Sequence, residues 1–234
     1  MIREYGRPIA YLFCYSIPLA AFLGLWQGGA WVYAAPIIAF VLIPGVELFA
    51  PGWTINADPV IENQRKHMRL YDLVVYLSVP IQMTLVAYFI YQLRLPAQYA
   101  TYELVGIIWS VGLSCGSLGI NVAHELGHRK KKSEQWMAKA LLLSSLYMHF
   151  IIEHNLGHHR HVATPRDPAT ARKGENLYQF WMRSIRDGLR SAYNIEAQRL
   201  QRKGRGAFSL ANEVIFMLCL QGMVLFLIGV LAGW

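Results

Sequence analysis

Charge is what this chain is short of. Asp, Glu, Lys and Arg make up 15% of its 234 residues, with only 14 acidic residues against 22 basic ones. Soluble domains carry about a quarter charged residues, because most of their surface must be solvated by water. Cysteine is scarce too: Cys14, Cys115 and Cys219 are far apart, each inside an apolar run, with no CxxC spacing. They imply no disulfide frame and read as small buried hydrophobes. Internal repeats, low-complexity tracts and a second soluble domain are lacking, and no small-residue cleavage site follows the first apolar run, which excludes a secretory signal.

What the chain has in quantity is apolar sequence. Hydrophobic residues make up 55% of it, in runs long enough to cross about 30 Å of hydrocarbon. Spans are expected at Pro8–Trp26, Ala30–Phe49, Leu70–Leu93, Tyr102–Ala123 and Leu210–Leu231, with Pro36 and Pro44 as kink points in the second. Trp136–Ile152 is also apolar but short, and crossing there would put the sequence on its two sides on opposite faces of the bilayer. It is expected to be a re-entrant or interfacial helix that returns to the same side. The resulting fold class is all-α, a multi-pass integral membrane helical bundle forming one domain over residues 1–234.

The formal charge of +8 could suggest nucleic acid, but the basic residues sit between spans, where they set orientation. Arg3 and Arg7, then Arg65, Lys66 and Arg69, then Arg129 to Lys132 alternate with nearly neutral loops. This puts the head, the Arg65 loop and residues 124–128 on the cytoplasmic side of the cell inner membrane, with no role for nucleic acid. Residues 160–205 are polar and hold half of all Lys and Arg. They fit either contact with anionic lipid headgroups or docking of an acidic electron donor, for which Arg183 and Arg186 are the candidates.

Histidine is the concentrated chemistry. Seven of the eight histidines fall between Asn121 and Asp167, six of them in His124-Glu125-Leu126-Gly127-His128 and in Glu153-His154-Asn155-Leu156-Gly157-His158-His159-Arg160-His161, with His149 between the two. Residues four apart share a helix face, so His124 pairs with His128 and His154 with His158, while His159 points elsewhere. Imidazole suits iron, zinc, copper or nickel. His67, alone in a loop, is left outside the site, and His149 is structural or a donor to a metal-bound group.

HExxH at 124–128 is also the zinc-protease pattern, with Glu125 as general base. A catalytic zinc needs three protein ligands and an open position, whereas five histidines are a surplus for one zinc and suit two metals. A paired iron site at the rim of an apolar bundle fits oxidation of an apolar C–H bond.

HELGHR at 124–129, and EHNLGHHRHVATPRDPATAR at 153–172 followed by Tyr178, Phe180 and Arg183, closely resemble the membrane alkane 1-monooxygenases of the fatty acid desaturase-like superfamily. The resemblance implies a non-haem di-iron enzyme that uses O2 to convert a terminal methyl group of an n-alkane into a primary alcohol. It further implies electrons from rubredoxin, and so indirectly from rubredoxin reductase. By the same resemblance the iron ligands are His124, His128, His154, His158 and His159, with His161 a neighbour outside the ligand set. Glu125, Glu153 and Asp167 are the candidates for orienting the imidazole N–H groups. A xylene-type methyl monooxygenase is a close alternative. The family's later NYxEHYG-type and HxxHH-type boxes are absent from these 234 residues. The expectation is therefore a C-terminally incomplete domain that does not hold both irons alone, with an inactive metal-binding fragment as the non-enzymatic reading.

Overall fold

The computed structural model describes residues 11–49, 69–95 and 99–232, and among these every regular element is helical. Four helices are long and apolar enough to cross a bilayer: α2 at Gly29–Phe49, α3 at Arg69–Leu93, α4 at Thr101–Gly127 and α8 at Glu213–Leu231. Ahead of them, α1 at Tyr11–Gln27 is apolar but shorter, and residues 8–10 of the expected first span lie outside the described residues. So do Arg3, Arg7, Arg65, Lys66 and His67. Large apolar side chains such as Leu218, Phe226 and Val230 on α8 are exposed, the arrangement expected where hydrocarbon rather than water is the solvent.

By contact the chain divides into two units, residues 1–122 and 123–234. In the first, α1 to α4 pack around Ala20, Ala21, Leu25, Val32, Leu85, Ile107 and Val111. Small residues allow this closeness, since lipid tails are as apolar as Leu and helices associate in hydrocarbon through packing and hydrogen bonds. A Cβ at Gly24 would lie 2.9 Å from the Trp31 carbonyl oxygen, and one at Gly106 would overlap the Val32 side chain. Polar groups complete the packing: the Ser110 hydroxyl donates to the Val32 carbonyl at 2.6 Å, and the Ser114 hydroxyl donates to Gln82 Oε1 at 2.6 Å. Between Pro36 and Pro44, α2 contains a π turn at Ile38–Leu42, which accommodates the missing proline N–H groups within one helix.

Cysteine burial differs from the sequence reading. Cys14 and Cys219 are exposed, and Cys115 is half-buried and accepts a hydrogen bond from Gln82 Nε2 at 3.3 Å. A thiol is apolar enough to face hydrocarbon, so helix surface is as suitable for it as core.

In the second unit, α5 runs over Lys132–Ser144, α6 over residues 150–161 and α7 over Leu177–Gln201. The expected single helix at 136–152 is broken. The Ser144 and Ser145 hydroxyls bond back to the carbonyls of Leu141 and Leu142, Leu146 takes φ +54°, and the Tyr147 N–H closes on the Leu142 carbonyl at 3.0 Å. Serine back-bonding and a left-handed residue terminate a helix in this way. Apolar periodicity carries no sign of it. Asn176 caps α7, accepting the Gln179 N–H at 2.9 Å, and buried Asn212 caps α8 through the Val214 N–H at 3.0 Å.

Close approach at two glycines gives a test within the first unit. Gly24→Ala and Gly106→Ala are each expected to destabilise by about 1–3 kcal/mol through overpacking, whereas Gly112→Ala, with open space at its Cβ, is expected not to. Thermal unfolding in detergent reads the difference.

Candidate metal centre

Two π turns set the geometry. One, at Cys115–Ile120, lies in α4 immediately before the first histidine box, and the other, at His154–His158, is the second box itself. A π turn closes i→i+5 instead of i→i+4 and is frequent at functional sites. Its effect here is to change which histidines meet.

The nitrogens of His124, His128, His154 and His159 all lie within 4.8 Å of one another. His154 Nε2 is 3.3 Å from His128 Nε2 and 3.0 Å from His159 Nε2. Imidazole nitrogens bind a first-row ion such as zinc at about 2.0–2.1 Å, so two nitrogens sharing one ion lie about 3 Å apart. The donor set therefore fits an imidazole-binding metal. The partner that closes on His154 is His159, five residues on, and not His158 as α-helical spacing predicts; the π turn is the reason.

His158 serves through a different contact. Its Nδ1 is 2.9 Å from Asp167 Oδ2, and its ring stacks on that of His154 with centroids 5.2 Å apart. Asp167 is 2% exposed. Burial alone would raise its carboxyl, but hydrogen bonds from the Thr170 hydroxyl, the Ala169 N–H and His158 outweigh this and hold it below the usual carboxylate range. An ionised Asp167 accepts the Nδ1–H of His158, which favours the tautomer with its lone pair on Nε2, the one a metal ligand needs.

Asp167 is itself held from behind. Arg183, buried on α7, makes a bidentate pair with Glu175 at 2.6 and 2.7 Å. It also donates to the carbonyls of Pro168 and Thr170, each at 3.0 Å. The guanidinium holds the Glu175 carboxyl down to about 2. Of the two arginines expected on a docking face, Arg186 is exposed beside Asp187 at 2.8 Å, whereas Arg183 lies inside as a brace for the Asp167 loop. Glu175, Thr170 and this brace were not legible in advance, because they become neighbours only through the loop at 162–176.

The two glutamates part company. Glu153 is buried, receives the Ser191 hydroxyl at 3.3 Å, and has a carboxyl raised by burial and then by Asp167. Gly157 packs onto it so closely that a Cβ there would overlap the Glu153 carboxylate. Glu125 is exposed and pairs with Arg129 at 3.4 Å, with Arg129 also bonded to buried Glu134 at 3.1 Å. Such a carboxylate is engaged by a cation and is poorly placed as the general base of a zinc protease. His161 lies outside the nitrogen group.

The protonation state of His154 favours metal uptake. Burial first, then the imidazoles around it, push His154 down to about 4, so it is neutral at pH 7 and its lone pair is available. His149, buried with neither ring nitrogen hydrogen-bonded among the described residues, is pushed by burial to about 4 as well.

Regular structure that is all helical among the described residues, four candidate membrane spans there, and imidazoles from two boxes gathered on one spot define a class, the membrane proteins with histidine boxes suited to a metal. Over residues 99–234 the chain matches the fatty acid desaturase family, and it belongs to that family. It is 35% identical over 85% of its length to an alkane 1-monooxygenase of Pseudomonas putida, covering 50% of that protein. It is 38% identical over 79% of its length to alkane 1-monooxygenase 1 of Alcanivorax borkumensis, covering 45%. The hydroxylase component of a Pseudomonas putida xylene/toluene monooxygenase is 28% identical over 94% of this chain and 60% of its own. The chain spans about half the length of the alkane monooxygenases it matches.

Three substitutions test the site. Asp167→Asn keeps the shape but loses the charge that holds His158, and is expected to weaken metal affinity about 10–100-fold. Gly157→Ala is expected to lower metal content by displacing Glu153; metal analysis of purified protein reads both. The third concerns acid stability. A histidine whose folded pKa lies below its unfolded value contributes nothing to the slope above pH 6.5, and stability is lost as pH falls from there toward about 4. His149→Leu is accordingly expected to flatten the fall in thermal midpoint between pH 6.5 and 4 relative to the unsubstituted chain.

Proposed function

We propose that this chain is the histidine-box portion of a non-haem di-iron alkane monooxygenase. In this reading it hydroxylates the terminal methyl of medium- or long-chain n-alkanes to 1-alkanols, using O2 and electrons from reduced rubredoxin. The observation that carries the reading is the convergence of His124 and His128 from one box with His154 and His159 from the other on one spot within 4.8 Å. Similarity to alkane 1-monooxygenases over most of the chain supports the substrate class.

His124, His128, His154, His158 and His159 would hold the metal, with Asp167 fixing the tautomer of His158 and buried Glu153 packed under the second box. Iron held there would supply redox chemistry for the reduction of O2 with two electrons from the donor and two protons, the overall conversion being of a C–H bond to C–OH with release of water. The protein's own contribution is placement: imidazoles from the two boxes gathered on one spot, in a chain whose apolar spans suit an alkane substrate. The reading places the chain in the cell inner membrane with the histidines on the cytoplasmic face, where a soluble donor reaches them. Arg186, exposed on α7, belongs to the donor-facing surface.

The similarity to a xylene/toluene monooxygenase component supports an aryl methyl group as the second substrate class. Cells supplied with rubredoxin and its reductase are expected to form 1-octanol from octane, and p-xylene offered in parallel separates the two classes. His154→Ala is expected to abolish product and iron together; product formation without iron, or zinc with peptide cleavage, would overturn the proposal. Arg186→Glu is expected to raise the KM for rubredoxin and flatten its salt dependence at unchanged iron content. Arg183→Glu is expected to lose iron, because its partners are the loop that carries Asp167.

A further inference from the structure

Beside the histidine helix, and separate from its metal-facing nitrogens, lies a second built feature that the oxygenase reading does not use. A cavity of about 360 Å³ opens between α6, the loop at 162–176 and α7. Leu156, Pro168 and Ile195 contribute its apolar wall. Three guanidinium groups, from Arg160, Arg166 and Arg190, line the rest. None of the three has an ion-pair or hydrogen-bond partner among the described residues. The one carboxylate in the lining, Asp187, is already bonded to Arg186 at 2.8 Å.

Three like charges around one cavity repel one another unless something negative sits between them, and arginine keeps its charge at any working pH. Neutral donors complete the lining: Asn194 and Gln198 lie on the same side of α7, one turn apart. A planar carboxylate has two oxygens and is satisfied by one guanidinium fork. A phosphate group has three or four oxygens in a tetrahedron and takes charge-assisted hydrogen bonds from several forks and amides at once.

We infer that this cavity is a binding site for a phosphate group, presented by a phospholipid headgroup or by free phosphate. Arg160 and Arg166 follow the second histidine box directly, and Gly157 forms part of the cavity wall while also packing on Glu153. An occupant would therefore tie the loop at 162–176 to α6 and α7, and His154, His158 and His159 are not among the lining residues. The site stands on its own lining residues and does not depend on which substrate the metal centre oxidises.

The test uses the purified chain in a phosphate-free nonionic detergent with two probes. Inorganic phosphate is titrated and followed by phosphorus NMR. Retention of phosphatidic acid against phosphatidylcholine from mixed nanodiscs is counted by native mass spectrometry. Saturable broadening of the phosphate signal, or selective retention of phosphatidic acid, is the expected result; the first identifies free phosphate as the source and the second a headgroup. Arg160→Gln, Arg166→Gln and Arg190→Gln are each expected to weaken the binding about tenfold or more, with Arg205→Gln, outside the cavity, as the unchanged comparison. Unaltered metal content and thermal midpoint report that each variant is folded. Failure of both probes to bind, or equal loss in Arg205→Gln, overturns the inference. So does binding indifferent to the three arginines, or an effect confined to the KM for a protein electron donor, which would assign the cavity to a protein carboxylate.

Discussion

Imidazoles that are to share a metal must point at one place and stay neutral while they do so, and most of the second unit serves that demand. The π turn at His154–His158 is the central device. By closing five residues on instead of four it turns His159 toward His154 and His128, and frees His158 to face Asp167. A π turn costs backbone regularity and persists where surrounding packing requires it. Here Gly157 removes the side chain that would collide with Glu153, and α7 lies alongside with Ser191 bonded to that same carboxylate.

Behind the ligands runs a relay of charge that ends in a salt bridge. Arg183 donates to Glu175 and to the carbonyls of Pro168 and Thr170, the Thr170 hydroxyl donates to Asp167, and Asp167 orients His158. Each step is a hydrogen bond to a charged group in a place shielded from water, where such bonds are strong and a missing partner is costly. The apolar spans of the first unit solve a different problem. Their core combines alanines with Leu25, Val32, Leu85, Ile107 and Val111, brought close by Gly24 and Gly106 and joined by the hydrogen bonds of Ser110, Ser114 and Gln82, since in hydrocarbon helices are held by close approach and by satisfied polar groups.

Much of this was legible from residues alone. The shortage of charge and the lengths of the apolar runs imply a multi-pass helical bundle, and four helices qualify as spans among the described residues. The span predicted at 102–123 leads straight into the first box, as α4 does. His154 and His158 do share a face, their rings stacked, but the approach of His159 to His154 was not legible because helical spacing assumes 3.6 residues per turn everywhere, and nothing in His-Asn-Leu-Gly-His announces an i→i+5 turn. The break at Ser145–Leu146 was missed for a related reason: apolar periodicity continues through it, and the signal is two serines bonding back onto the helix. Arg183 looked like a surface cation because it stands among many exposed ones.

The amino-acid sequence by itself determined the solvent this protein lives in and the elements of its site, because hydropathy and ligand chemistry are properties of residues taken singly or a few positions apart. Which imidazoles face one another, which arginine is a brace and which is free, and where a cavity gathers three unpaired guanidinium groups were decided only by the tertiary structure. Those are distances between groups that chain order separates, and they exist once α6, the loop at 162–176 and α7 have packed.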